Sequence, residues 1–294
     1  MSSTVTYYFD KEHIFLEEYN SIKKIFSNGL VKIKKTSFSN FKGIYRENQH
    51  NGTMSEQKRE EKNKKYLKNV KTNIIDLALN YPNWEYFITL TFDDKEVGEY
   101  SHEKAISQLT KWIDNQKHQN RQMTYLLVPE FHVSGRLHFH GLISNVPKWK
   151  FSEARYPKDY KIKNFRGKLI KKNGLQIYNL DNYKLGFTTI SKVQDQQKVS
   201  NYISKYATKE LITLKSKKRY WYSRNLEKPI LEYEYIENNL YEHLKDEQLD
   251  YFDTFEKENC LIEVAQFIGQ HNFNYGKLNI TIKKINNLSI LLSY

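Results

Sequence analysis

The side chains that could do chemistry cluster in two short stretches. His138-Phe139-His140 places two imidazoles two residues apart. In a β-strand residues i and i+2 point to one face, so the rings would stand side by side. A bare pair of this kind is more often two satisfied, half-buried histidines. The preceding residues sharpen it. Val133-Ser134-Gly135 fits a three-residue hairpin loop with glycine in the left-handed position. That register sets Glu130 opposite His138, and a one-residue slip of the loop centre sets it opposite His140. In either case the carboxylate shares a face with both imidazoles, with Cβ atoms about 5 Å apart across the strands. Two imidazoles and a carboxylate with open positions suit a divalent cation that must also hold a substrate oxygen. His132 shares the face and either substitutes as a ligand or orients one.

The second stretch is Tyr202, Lys205, Tyr206 and Lys209, spaced i, i+3, i+4 and i+7 and so on one face of a helix. Both tyrosines could simply extend the packing stripe of Val199, Ile203, Ala207, Leu211 and Leu214. The chemical alternative is nucleophilic. A phenol with a pKa of about 10 is a poor nucleophile at neutral pH, but nearby ammonium groups favour phenolate and a metal on the phosphate lowers the barrier further. Tyr202 is one turn closer to the helix start than Tyr206, where the macrodipole slightly favours a developing anion.

Strands and helices must position these groups. Leu67, Val70, Ile74, Leu77 and Ala78 predict a helix over 58–80, its first half crowded by Lys62, Lys64, Lys65, Lys68 and Lys71. Pro82 and Asn83 end it. Residues 85–92 read as a strand with Phe87, Thr89 and Thr91 on one face and Ile88, Leu90 and Phe92 on the other. Ser101 is a candidate N-cap for a helix to about Gln119, with Ala105, Leu109, Trp112 and Ile113 inward. Strands over 123–132 and 136–144 flank the hairpin loop. A basic, loop-rich insertion covers 147–184, a further strand 185–193, and a helix 196–213. Val31 to Lys35 reads as a short strand and Asn48 to Ser55 as a loop. This order predicts an α+β fold: an antiparallel sheet with helices packed on one face. Three regions follow: an N-terminal extension of unclear structure (1–57), the central domain (58–230) and an acidic C-terminal segment (231–294).

Charge and composition narrow the classes. Residues 1–230 carry 42 basic and 23 acidic side chains, a net +19, whereas residues 231–294 carry 5 and 11, a net −6. A block this basic points to a polyanion partner, although abundant Lys, Asn, Ile, Tyr and Phe with only eight Arg also fit a biased codon usage. The single cysteine, Cys260, excludes an intrachain disulfide and a four-thiolate zinc site. No apolar run approaches a membrane span and no secretory signal is visible, so a cytoplasmic protein without membrane association is expected. No GxxxxGK[ST] occurs, which excludes a P-loop ATPase.

Three segments resemble the HUH-type rolling-circle replication initiators of phages and plasmids. Phe87-Ile-Thr-Leu-Thr-Phe92 is similar to their first motif, Arg136-Leu-His-Phe-His-Gly-Leu-Ile143 to the metal-binding second, and Asn201-Tyr-Ile-Ser-Lys-Tyr-Ala-Thr-Lys209 to the tyrosine motif of the two-tyrosine branch typified by microvirus gene-A initiators. The resemblance covers about residues 58–225. It implies an RRM/ferredoxin-like HUH endonuclease fold and Glu130, His138 and His140 as ligands of Mg2+ or Mn2+. It also implies Tyr202 and Tyr206 as nucleophiles supported by Lys205 and Lys209, and strand-specific nicking and rejoining of origin DNA through a 5′-phosphotyrosine. No helicase domain follows the motifs, so a bacterial host's helicase and DNA polymerase are the implied partners.

Single-stranded DNA binding needs cations for phosphates and aromatic rings for bases. Lys158, Lys161, Lys163, Arg166, Lys168, Lys171 and Lys172 in the insertion, then Lys217, Lys218, Arg219 and Trp221, are the candidates. Two other readings share parts of this pattern: a two-tyrosine HUH transposase or mobilisation relaxase, and a non-enzymatic RRM-like nucleic-acid-binding module.

Overall fold

The structure is a computed structural model that describes residues 4–9, 12–42, 55–93, 100–172, 174–207, 218–257 and 259–269. Along the chain the first strands are β1 (Thr4–Phe9), β2 (Glu12–Ile25), β3 (Leu30–Lys42), β4 (Tyr86–Leu90), β5 (Thr124–Phe131) and β6 (Leu137–Ser144). Then come β7 (Phe151–Glu153), β8 (Lys171–Lys172), β9 (Leu175–Gln176), β10 (Tyr178–Leu180) and β11 (Thr188–Lys192). The last are β12 (Trp221–Tyr222), β13 (Ile230–Glu234), β14 (Leu249–Lys257) and β15 (Cys260–Ile268). The helices are α1 (Glu56–Asn80), α2 (His102–Gln119), α3 (Gln196–Ile203) and α4 (Leu240–His243), with 3-10 turns at Lys163–Phe165 and Ser204–Tyr206.

The fold is α+β; the described residues form two large antiparallel sheets and a separate two-stranded pair, β8–β9. The seven-stranded sheet runs β12-β5-β6-β4-β11-β10-β7 and places β6 near its middle. Period-2 alternation sorts its side chains. Ile88, Leu90, Leu127, Leu137, Phe139 and Ile143 face α2, whose Ala105, Leu109, Trp112 and Ile113 fill that layer. Leu126, Val128 and Leu142 face the other way, onto Val70, Ile74, Leu77 and Ala78 of α1 and Ile203 of α3. Helices therefore lie on both faces, not on one as the element order suggested. A strand such as β6, buried on both sides, needs an apolar cover on each. The helix starts follow their caps: Ser55, Ser101 and Asp195 accept from the backbone N–H groups of Lys58, Lys104 and Lys198.

The second sheet is not foreseen by the sequence reading beyond the strand at Val31 to Lys35. It runs β1-β2-β3-β15-β14, and β13 pairs with β2. Segments 1–57 and 231–294, far apart in sequence, thus interleave as neighbouring strands. Their charges neutralise each other: Lys23 pairs with Glu232 at 3.1 Å and Lys35 with Glu263 at 3.0 Å. The β2–β3 turn docks on the end of α1, where Ser27 N–H donates to Asn80 Oδ1 at 2.9 Å, Lys24 pairs with Asp76, and Phe26 and Leu30 pack on Leu79. Of the loop expected over 48–55, only Ser55 lies within the described residues.

The loop-rich insertion over 147–184 holds the short strands β7, β8, β9 and β10. The helix expected over 196–213 ends early: it tightens to a 3-10 turn after Ile203, and Ala207 leaves helical geometry at ψ 81°. The Ser204 hydroxyl donates to the Asn201 carbonyl at 2.8 Å, a side-chain bond that competes with the backbone ladder. Residues 208–217, with Lys209, Leu211, Leu214 and Lys217, lie outside the described residues.

Gly141 marks how tightly the central strands pack. A Cβ there would lie 2.1 Å from Leu127 Cδ2 and 3.0 Å from the Leu126 carbonyl oxygen. Gly141→Ala is expected to lower the unfolding free energy by about 1–3 kcal/mol, the usual cost of overpacking a filled core, measured by urea unfolding. An unchanged midpoint would show that Leu127 gives way freely.

Candidate active site

The site is set by the β5–β6 hairpin. His132 N–H donates to the Arg136 carbonyl at 2.8 Å and Gly135 N–H to the His132 carbonyl at 2.7 Å. Val133, Ser134 and Gly135 form the loop, with Gly135 at φ +80°, where a side chain would be strained. Of the two registers open to the sequence, the chain adopts the one pairing Glu130 with His138 and Val128 with His140. Glu130, His138 and His140 consequently share the face covered in part by α1 and α3.

His140 is held on every side. Its Nε2 lies 2.7 Å from Glu130 Oε2, its Nδ1 lies 3.1 Å from the Thr89 hydroxyl of β4, and its ring stacks on Tyr206 at 3.6 Å between centroids and 13° between planes. Burial pushes its pKa down to about 4, opposed by Glu130 and assisted by the charges of His138 and Lys172. The ring is therefore neutral at physiological pH. His138 is also shifted down, by burial and then by His132, against the pull of Glu130. The His138 ring stacks on His132 at 4.8 Å, and His132 Nδ1 lies 3.0 Å from the Ser134 hydroxyl.

The tyrosines meet this cluster from α3 and the 3-10 turn after it. Tyr206 donates its hydroxyl proton to the Tyr202 oxygen at 2.9 Å. Burial, then that hydrogen bond and the charges of Tyr202 and Glu130, raise the Tyr206 pKa well above the ordinary phenol value. The Lys205 ammonium stands 4.9 Å from the Tyr202 ring centroid. Phe87 wedges between the groups, 5.5 Å from Tyr202, 6.3 Å from Tyr206 and 6.2 Å from His140. Tyr202 sits in the last turn of the eight-residue α3, not near its start, so the macrodipole opposes an anion there instead of favouring it.

Does this donor set fit a metal ion? Thr89 occupies His140 Nδ1, which leaves Nε2 as the nitrogen facing the Glu130 carboxylate, and a neutral imidazole beside a carboxylate is the donor chemistry of a divalent cation. Among the described residues, no group of three His, Cys, Asp or Glu side chains is drawn together tightly enough to hold an ion. The His140–Glu130 pair supplies the fit, and His138 stands beside it in register with Glu130.

The expected DNA-contacting residues divide. Lys158, Lys161, Lys163, Arg166, Lys168, Lys171 and Lys172 are exposed on the insertion, and the charge of Lys172 is felt at His140. Lys218 is exposed and the Arg219 guanidinium lies 6.0 Å over the Tyr66 ring, beside a cleft of about 370 Å³ between α1 and β12. Trp221 is a correction. It is buried in the sheet core, 5.2 Å from Phe139, because alternation along β12 turns it inward and leaves Tyr222 outside. It offers no face to a base. Sequence reasoning missed Thr89 and Phe87 as site residues, although the alternation over 85–92 already put both on one face.

Residues 85–211 match the family model of replication-associated protein ORF2. In that region the chain is similar to replication-associated proteins. The matched stretch spans β4, the Glu130–His138–His140 hairpin and both tyrosines, and it supports a replication-initiator role. No curated protein and no solved structure matches the chain. Among the described residues no helix is long and apolar enough to cross a membrane.

The burial of His140 has a direct readout. In metal-free protein its ring should stay neutral down to about pH 4, followed by NMR of the ring protons. Because the folded protein resists protonation that the unfolded chain accepts near pH 6.5, this residue's contribution is complete above that pH and lost as pH falls towards 4. A titration midpoint near 6.5 would show that the ring is solvated.

Proposed function

We propose that the protein is a rolling-circle replication initiator of the HUH type, which nicks and rejoins single-stranded origin DNA through a 5′-phosphotyrosine. The observation that carries this reading is the stack of Tyr206 on His140, with the Tyr202 hydroxyl 2.9 Å beyond. Two phenols beside an imidazole–carboxylate pair are what a transesterification with two successive nucleophiles requires.

Glu130, His138 and His140 would hold Mg2+ or Mn2+, with His132 as a substitute ligand or as the group that orients His138. The ion, when bound, polarises the scissile phosphate. Tyr202 is the first nucleophile. As its oxygen attacks phosphorus it loses its proton to solvent, and the hydrogen bond donated by Tyr206 stabilises the charge on that oxygen as it develops. The Lys205 ammonium adds a positive charge on the same side. The DNA 3′-oxygen leaves, takes up a proton and is left as a free hydroxyl that primes synthesis. One phosphodiester is exchanged for another, so no ATP is consumed. Tyr206, held protonated by burial and by its bond to Tyr202, becomes competent once Tyr202 is esterified and that bond is lost. It then serves the second transfer. Lys209, three residues on, is assigned the matching role by the motif alone. Unwinding and synthesis fall to a host helicase and DNA polymerase.

The test is a single-turnover reaction with single-stranded origin-like oligonucleotides and Mn2+, scored as protein–DNA adduct on a denaturing gel. Tyr202→Phe should lose most of the adduct, Tyr206→Phe should still nick, more slowly because the hydrogen bond to Tyr202 is lost, but fail to rejoin, and the double variant should form none. Adduct from the double variant would remove both tyrosines from the mechanism.

His138→Ala and His140→Ala should each slow nicking by about 10²-fold or more, the scale for losing one group that acts on transition-state charge. Normal nicking by either would end the metal assignment. DNA affinity should fall with salt, with a log–log slope of about −0.7 per phosphate neutralised; a flat dependence would contradict a phosphate-tracking surface.

A further inference from the structure

Among the described residues, the face of the seven-stranded sheet that carries the histidines is only half covered. α1 and α3 lie over β5 and β6, but Thr189 of β11 is exposed, and Phe187 just before that strand is 79 % exposed. Single exposed apolar side chains are common and need no explanation. Phe187 differs in where it stands and how it is held.

Its place follows from register. β6 pairs with β4 so that Thr89 faces His140, and β11 pairs with β4 so that Thr188 faces Leu90. One step further on, Thr91 lies beside His138 and opposite Phe187. Thr188 is buried on the α2 side with Leu90, so alternation turns Phe187 to the histidine side. Glu130, His138, Thr91 and Phe187 therefore form one row across four strands. At about 4.8 Å per strand, Phe187 stands about 10 Å from His138. That is the reach of one or two nucleotides.

Its backbone is built in. Thr91 N–H and the Thr91 hydroxyl both donate to the Phe187 carbonyl, each at 2.9 Å, and Phe187 N–H donates to the Thr91 hydroxyl oxygen at 2.9 Å. The Tyr183 hydroxyl fixes the Thr91 carbonyl at 2.8 Å. Gly186 packs so closely that a Cβ would lie 2.5 Å from that carbonyl oxygen. A mobile loop tip would not be tied at so many points. The chain fixes the backbone of a large, solvent-exposed aromatic residue on a polar strip that is open among the described residues and leads to the nicking centre, with the Lys172 charge reaching the same strip.

We propose that Phe187 is a stacking platform for a base of single-stranded DNA next to the scissile phosphate. It positions the strand by its base, while the lysines hold its phosphates. This rests on the single-stranded DNA reading above. Stacking of one base on an aromatic ring is sequence-tolerant and commonly changes affinity by about ten-fold or more.

The test compares full-length protein and Phe187→Ala on two probes of equal length: a 20-nucleotide oligodeoxyadenylate and the same sugar–phosphate chain without bases. The native protein should bind the base-bearing strand about ten-fold more tightly than the abasic one. Phe187→Ala should lose that preference and keep its affinity for the abasic strand, which also shows that it folds. Phe187→Trp should retain the preference, and Thr91→Val, which removes the hydroxyl anchor, should weaken it. An undiminished preference in Phe187→Ala overturns the platform and leaves the nicking reading intact. Failure of the native protein to bind either probe overturns both.

Discussion

Everything at the site depends on the register of one β-hairpin. A loop of three residues between His132 and Arg136 pairs Glu130 with His138. A loop longer or shorter by one residue would turn Glu130 to the opposite face from both histidines. The register is enforced from several directions. Gly135 takes the left-handed geometry the loop needs. Gly141, opposite Leu127, admits that side chain where any Cβ would collide. Leu137 and Phe139 are fully buried on the α2 side, so a slip would drive apolar side chains out of one core and two histidines into it. The cost of that exchange is far above that of any single hydrogen bond.

The same two-sided burial explains how polar chemistry survives on a core strand. His140 is only 8 % exposed, yet every polar atom of its ring has a partner, one from β4 and one from β5. A buried imidazole satisfied in this way is fixed in tautomer and orientation. The early end of α3 completes the arrangement. The turn that follows Ile203 tightens, and Tyr206 lies flat on the His140 ring with its hydroxyl bonded to Tyr202.

Much of the central domain was legible because its signals are local. Alternation over 85–92, the Ser101 cap and the Val133-Ser134-Gly135 loop each need only a few neighbouring residues to be read. The second sheet was not, since the pairings that join its local hairpins, β3 with β15 and β2 with β13, span some two hundred residues. Val31 to Lys35 reads as a short strand on its own, but nothing near it in sequence shows that β15 is its neighbour or that Glu263 neutralises Lys35. Trp221 misled for a related reason. Its basic and aromatic neighbours suggested a DNA surface, but which way a two-residue strand faces is decided by its partner β5, not by its own sequence.

The second sheet also changes what the charge distribution means. Residues 58–230 carry 34 basic and 17 acidic side chains, a net +17, whereas residues 1–57 and 231–294 together are slightly acidic. The acidic segment was free, on sequence, either to pack on the basic region or to recruit a partner. In the structure its Glu232 and Glu263 pair with lysines of the β2–β3 hairpin. They do not mask the insertion, where Lys158 to Lys172 remain exposed. Neutralising one sheet internally leaves the whole positive excess on the other. For a polyanionic strand this is a field with a direction, strongest on the domain that carries the histidines and weak beyond it. Deleting residues 231–294 would therefore not simply remove negative charge. It would take three strands from the second sheet and unpair the lysines that they neutralise, so a change in DNA binding after that truncation would report on folding as much as on charge.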